Sequence, residues 1–99
     1  MYTLQIEHGI SSYGAWRTAY DADPLDRAGS GVLAARVAQP VGDDRRVVVE
    51  LDFAAEAQAE LFLARLRSEV WGTGTAPALR GGPETRILRL LDAGPVAAT

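Results

Sequence analysis

The sequence contains no cysteine and no lysine among its 99 residues. Without a thiol, the chain can form no disulfide, zinc–thiolate site, iron–sulfur cluster or cysteine nucleophile. Without a lysine amine, Schiff-base chemistry on carbonyl substrates and pyridoxal-type covalent catalysis have no residue to use. These two absences exclude several classes of covalent and metal enzyme before any motif is considered.

Positive charge and long apolar runs are also scarce. The formal net charge is −3 and the pI is near 5.0, so the chain offers no clustered basic face of the kind that phosphate backbones require. No stretch approaches the roughly 18 uncharged apolar residues of a membrane helix, and the first residues lack the basic and apolar regions of a secretory signal. We therefore expect a cytoplasmic protein with no nucleic-acid or membrane partner.

The length predicts one domain over residues 1–92, followed by a flexible C-terminal tail over residues 93–99. Alternating apolar and polar residues predict four strands, and helical spacing predicts two helices. A Gly/Thr/Pro loop is expected over residues 72–83, and Asp52 is expected to cap the second helix. In chain order the elements are strand 2–8, helix 12–22, strand 32–39, strand 46–53, helix 54–70 and strand 86–91.

The order βαββαβ indicates an α+β protein with a ferredoxin-like fold. Two βαβ units with right-handed crossovers give a four-stranded antiparallel sheet of order 4-1-3-2 with both helices on one face. Strand parity assigns the following residues to the open face: Thr3, Gln5, Glu7, Val32, Ala34, Arg36, Val48, Glu50, Ile87, Arg89 and Leu91. This mixture is too apolar for a free surface, so we expect a homodimer whose open faces pack together about a two-fold axis.

Charges on the open face predict two cross-strand ion pairs. If the middle hairpin centres near Asp43, Arg36 lies opposite Glu50, and Arg89 on the last strand neighbours Glu7 on the first. Such pairs either steady the sheet or orient a ligand in a cavity between the two subunits.

Several segments together resemble one protein group. They are the run Tyr13–Asp21 with its Trp16, the step Arg27–Val32, Asp43-Asp44 before Val47–Phe53, and Ala59–Leu63. Over residues 2–91 they are similar to the small bacterial dimeric α+β barrel proteins of the antibiotic-biosynthesis-monooxygenase-like group. The resemblance implies a homodimer with a cavity in or beside each protomer, and its members are labelled cyclases or monooxygenases or are uncharacterised. The haem-degrading branch carries a helix 2 histidine that this chain lacks, so no haem is expected.

Four residues are candidates for the cavity. His8 is the only histidine and the candidate general base, although it could instead satisfy turn groups after the first strand. Trp16 and Tyr20 share one helical stripe, which forms either a ligand wall or the helix-to-sheet core. Trp71 ends the second helix and either stacks on a ligand or plugs the subunit edge. No metal-ligand spacing or phosphate loop occurs, so we expect neither metal nor cofactor.

These observations support two hypotheses. The first is a cofactor-independent monooxygenase or cyclase acting on a small aromatic or polyketide-like molecule. In it His8 is the base, Arg36, Glu50 and Arg89 set the cavity polarity, and the aromatic residues shape its wall. The alternative is a non-catalytic ligand-binding or structural homodimer. A cavity well below the few hundred Å³ typical of small-molecule sites favours the alternative.

Overall fold

The structure is a computed structural model that describes residues 1–72 and 79–96, with the backbone alone described at 79–81. Its elements are β1 (Tyr2–Ile10), α1 (Tyr13–Asp21), β2 (Val32–Ala38), β3 (Arg46–Phe53), α2 (Glu56–Arg65), a π-helix (Leu66–Trp71) and β4 (Leu79–Arg89). The sheet is antiparallel with order β2-β3-β1-β4, which is 4-1-3-2 in reverse. The predicted ferredoxin-like fold is therefore confirmed.

Several element boundaries differ from the prediction: β1 continues to Ile10, and the predicted helix 54–70 is α2 followed by the π-helix. The last strand begins at Leu79, so the predicted 72–83 loop is shorter, and its residues 73–78 lie outside the described residues, as do tail residues 97–99. Ala55, rather than Asp52, is the N-terminal cap of α2. Asp52 lies inside β3, where its carboxylate accepts hydrogen bonds from Thr3 and Arg36.

The hydrophobic core lies between the sheet and the two helices. The alternation of β3 places Val47, Val49, Leu51 and Phe53 on the covered face, and all four are buried. Ser12 begins α1 by accepting a hydrogen bond from the Ala15 amide at its Oγ. Trp16 on α1 and Phe62 on α2 are buried against the sheet. The other buried members of the core are Leu4, Ile6, Ile10, Leu25, Ala59 and Leu63.

The registers of the edge strands correct part of the predicted open face. Val32 pairs with Phe53 before a register shift, and Ile87 pairs with Leu4, so both lie on the helix-covered side, where they pack against the core. Arg89 pairs with Tyr2 on that same side, and it is exposed. The bulge in β2 reverses the parity at its start. In β4, apolar residues occupy both odd and even positions, so the alternation of residue types did not show which of them face the helices.

Charged side chains on the open face are bonded to one another. The predicted Arg36–Glu50 pair is confirmed at 3.1 Å, and the Arg36 guanidinium also donates to Asp52 at 2.8 Å. The predicted Arg89–Glu7 pair is wrong, because Glu7 accepts from Arg46 across the β1–β3 ladder. The hydrogen bond from Arg36 lowers the pKa of Asp52. The open face is therefore more polar than the alternation of residues along the strands predicted.

Candidate functional site

A cavity of about 110 Å³ lies between the helix-covered face of the sheet and the helices. The sheet contributes Ile6, His8, Val49 and Leu51 to its lining. The remaining walls come from α1, the turn after α1, α2 and the π-helix. The cavity is partly open to solvent, so it offers a small apolar site with one imidazole at its sheet wall.

The aromatic wall of the cavity comes from α1. Trp16 and Tyr20 are one helical turn apart, and their rings stack with centroids 4.9 Å apart. Trp16 is also a buried member of the core, so this residue lines the cavity and packs between helix and sheet at the same time. Tyr13 contacts Trp16 at 5.8 Å between ring centroids but is 40% exposed and does not line the cavity.

The π-helix supplies another part of the cavity wall. Consecutive residues Val70 and Trp71 both line the cavity. Segments of π-helix occur frequently at functional sites. This one closes tightly, because a Cβ at Gly72 would lie 2.5 Å from the Arg67 carbonyl oxygen. Glycine at position 72 therefore permits the turn that places Trp71 at the site.

His8 is buried, with 3% of its surface exposed. Its Nδ1 lies 3.3 Å from the Gly9 carbonyl oxygen. A carbonyl accepts only, so this contact assigns the proton to Nδ1 and leaves Nε2 as the acceptor. No described residue forms a hydrogen bond with Nε2. Both interpretations of His8 are thus compatible, since one nitrogen satisfies the turn and the other remains available to a ligand.

Burial keeps the imidazole of His8 neutral. Desolvation lowers the pKa of His8 most strongly, the hydrogen bond to Gly9 opposes it, and the nearby positive charge of Arg46 lowers the pKa further. The pKa therefore lies below the usual 6.5, and near pH 7 the ring can accept a proton. Such a group can serve as a general base for an acidic proton on a bound molecule.

Arg27 also lines the cavity, a position that its sequence pattern did not predict. Its guanidinium carbon lies 3.8 Å from the centroid of the Tyr20 ring, and its Nη1 donates to the Tyr20 carbonyl oxygen at 2.8 Å. The residue was noted only as part of the Arg27–Val32 step. The one available signal was an arginine in the turn directly after an aromatic helix.

Three predicted site residues lie away from this cavity. Arg36 and Glu50 are on the opposite, open face of the sheet, and Arg89 is an exposed residue of the edge strand β4. They do not set the polarity of the cavity that contains His8. The structure does bring His8, Trp16, Tyr20 and Trp71 together, although they come from β1, α1 and the π-helix.

Neither a metal cluster nor a membrane span is found in the described part of the chain. Residues 1–72 and 79–96 contain no group of three or more His, Cys, Asp or Glu side chains that could hold a metal ion. No helix within those ranges has the length and apolar character needed to cross a membrane.

The sequence matches no protein-family model and no curated protein. Among solved structures, SnoaB, a cofactor-independent oxygenase from Streptomyces nogalater, superposes with a TM-score of 0.74 at 10% identity, covering 96% of this chain and 97% of that one. A protein of unknown function from Nitrosomonas europaea gives a TM-score of 0.66 at 23% identity, with coverages of 98% and 95%. A dimeric ferredoxin-like protein from an uncultured marine organism gives 0.64 at 15% identity, with coverages of 94% and 97%. At these identities the similarity establishes the shared fold.

Proposed function

We propose that this protein is a homodimeric α+β barrel that acts as a cofactor-independent monooxygenase on a small aromatic substrate. The observation that carries the proposal is the buried imidazole of His8, whose Nδ1 is held by Gly9 while its Nε2 is unpartnered among the described residues, in a cavity walled by aromatic rings. The oxygenase SnoaB, which has the same fold, supports this assignment.

The volume of the cavity favours a single-ring substrate. Drug-sized ligands occupy sites of roughly 300–1,000 Å³, whereas an apolar cavity of about 150 Å³ holds benzene. The cavity near His8 measures about 110 Å³ and is partly open. The enclosed space is smaller than the one that holds benzene, so a phenol enters only with part of its ring at the opening, and the polyketide-like molecule of the first hypothesis is far too large.

The chemistry requires one base and molecular oxygen. His8 Nε2 accepts the phenolic proton, and the resulting electron-rich phenolate passes electrons to O₂. One oxygen atom bonds to the ring carbon that loses its hydrogen, and the other leaves as water with two hydrogens, so phenol plus O₂ becomes quinone plus water. The apolar side chains of Ile6, Val49 and Leu51 line the sheet wall and limit the water around the reacting anion.

Isotope labelling tests the reaction directly. With resorcinol under ¹⁸O₂ and no added metal or cofactor, we expect enzyme-dependent oxygen uptake and one ¹⁸O atom in the hydroxyquinone product. Anthrone serves as the polyketide-sized comparison and is expected to react no faster than without protein. Oxygen uptake at the spontaneous rate across a panel of single-ring phenols would contradict the proposed activity.

The cavity volume also favours a second candidate function, a non-catalytic dimer that binds a ligand or serves a structural role. At about 110 Å³, the site is smaller than most small-molecule sites. In this case His8 contributes a hydrogen bond to a ligand rather than a proton transfer. Native mass spectrometry separates the two, because a retained aromatic molecule that is not consumed under oxygen supports binding without turnover.

The homodimer is proposed to form through the open face of the sheet. Val48 and Leu88 lie among the hydrogen-bonded polar side chains of this face. Their burial against a second copy would stabilise the dimer, because it removes apolar surface from water. The dimeric ferredoxin-like protein among the structural neighbours supports this assembly. We expect native mass spectrometry at micromolar concentration to show two 10.6 kDa chains per particle. A stable monomer at that concentration would rule out the dimer.

A further inference from the structure

We propose that Arg27 determines ligand specificity, so that the cavity accepts a single-ring aromatic molecule carrying an anionic group such as a carboxylate. The inference rests on the proposed ligand site and narrows its substrate class to an aromatic acid. It follows from the charge of the cavity lining, the unused donors of Arg27 and the rigidity of the turn that holds it.

The lining of the cavity carries one permanent charge. Its walls are aliphatic and aromatic apart from His8 and Arg27, and no carboxylate side chain of the described residues lines it. His8 is neutral near pH 7 because burial lowers its pKa. The Asp23 carboxylate lies 3.5 Å from Arg27 Nη1 and offsets part of the guanidinium charge, so the attraction for an anion comes from the hydrogen-bond donors of Arg27 together with its charge in a weakly screened site.

One edge of the Arg27 guanidinium is occupied and the other is available. Nη1 donates to the Tyr20 carbonyl oxygen at 2.8 Å and lies 3.5 Å from Asp23 Oδ1. No described residue accepts a hydrogen bond from Nε or Nη2. These two nitrogens form a fork that matches the two oxygens of a carboxylate. The Arg27 side chain lines the cavity and is 22% exposed, so an anionic group bound to it can remain near solvent.

The turn after α1 holds Arg27 in place. Asp23 and Asp26 adopt left-handed backbone conformations, with φ of 51° and 52°. Such conformations cost free energy in residues other than glycine and occur preferentially at ligand clamps and active sites. Asp23 Oδ1 accepts from the Arg27 backbone N–H at 2.9 Å, and the guanidinium packs on the Tyr20 ring. The donor fork is therefore oriented before a ligand binds.

Binding of benzoate and benzamide tests this proposal, because the two molecules have nearly the same shape and differ in charge. Titrations at pH 7 can be followed through the imidazole signals of the only histidine in NMR spectra and by calorimetry. We expect benzoate to bind about tenfold or more tightly than benzamide, as a charge-assisted bidentate pair implies. Arg27→Gln is expected to weaken benzoate binding much more than benzamide binding and so to remove that preference, whereas Arg27→Lys keeps part of it.

Arg17→Gln is the matched control. The Arg17 guanidinium also lies over the Tyr20 ring, at 5.2 Å from its centroid, but Arg17 pairs with Asp21 and does not line the cavity. We expect this variant to retain the wild-type preference for benzoate. The wild-type protein alone also tests the proposal, because equal affinities for benzoate and benzamide would contradict it. The test therefore does not depend on whether the Arg27 variants fold.

The outcomes separate this inference from the proposed function. Equal binding of benzoate and benzamide, with no effect of Arg27→Gln, would overturn the role of Arg27 while leaving His8 as the base at an aromatic site. Failure of both molecules to perturb the His8 signals would overturn the inference and also remove the ligand site on which the oxygenase proposal depends.

Discussion

Replacing His8 by glutamine is expected to lower the rate of phenol oxygenation about 10²–10⁴-fold, the usual contribution of a general base. Glutamine occupies a similar volume and stays polar, but it cannot accept a proton at neutral pH. Initial rates of oxygen uptake with resorcinol measure the effect. The thermal unfolding midpoint of His8→Gln should accompany these rates, so that loss of the base is distinguished from loss of the fold.

The pH dependence of the wild-type rate gives an independent readout of the same group. A base must be neutral to act, so the rate should fall as pH drops through the pKa of His8 and remain constant above it. Burial lowers that pKa below 6.5, so the rate should reach half of its plateau value at a pH below 6.5. A rate that halves near the pKa measured for the single imidazole by NMR supports the assignment.

A His8→Gln variant with wild-type turnover would rule out the role of His8 as a base.

Replacing Phe53 by alanine is expected to destabilise the protein by about 3–5 kcal/mol, because it leaves a cavity where a fully buried ring packs. Among the described residues Phe53 is the largest completely buried side chain, and its ring centroid lies 5.7 Å from that of Phe62 on α2. Domains of this kind have total stabilities of about 5–15 kcal/mol, so the variant should unfold at a much lower urea concentration. Tryptophan fluorescence during urea unfolding measures the shift.

Leu61→Ala is the control for the Phe53 substitution. Leu61 lies on α2 with 63% of its surface exposed, so truncating it should change the stability by no more than about 0.5 kcal/mol. Equal losses in Phe53→Ala and Leu61→Ala would contradict the placement of the core between β3 and α2. A larger loss for Phe53→Ala supports that placement.

The order of elements and the central strands could be predicted because their signals are local. In β3 the apolar residues Val47, Val49, Leu51 and Phe53 alternate without interruption, and all four are buried as that pattern requires. The short turn between β2 and β3 sets their register, which is why the Arg36–Glu50 pair could be predicted from residue numbers alone.

The edge strands show where local patterns end. Apolar residues fall on both parities of the segment Ile87–Leu91, so the sequence could not decide which of them faces the core. Pairing with β1 places Ile87 there and moves Arg89 away from Glu7. The bulge between Val32 and Ala34 likewise places Val32 on the other face of the sheet. The residue types around it do not indicate that one strand carries an extra residue there.

The sequence by itself determined the fold class, the polar hairpin and the candidate base, since each depends on periodicity, turn length or a unique residue type. Only the tertiary structure decided which residues meet. His8 and Trp71 line the same cavity, and Arg27 reaches it from a turn that contains two aspartates in left-handed conformations. These residues are far apart along the chain, and they meet because the sheet and helices bury their apolar faces against one another. The composition of the cavity is therefore a property of packing, which short-range sequence patterns do not encode.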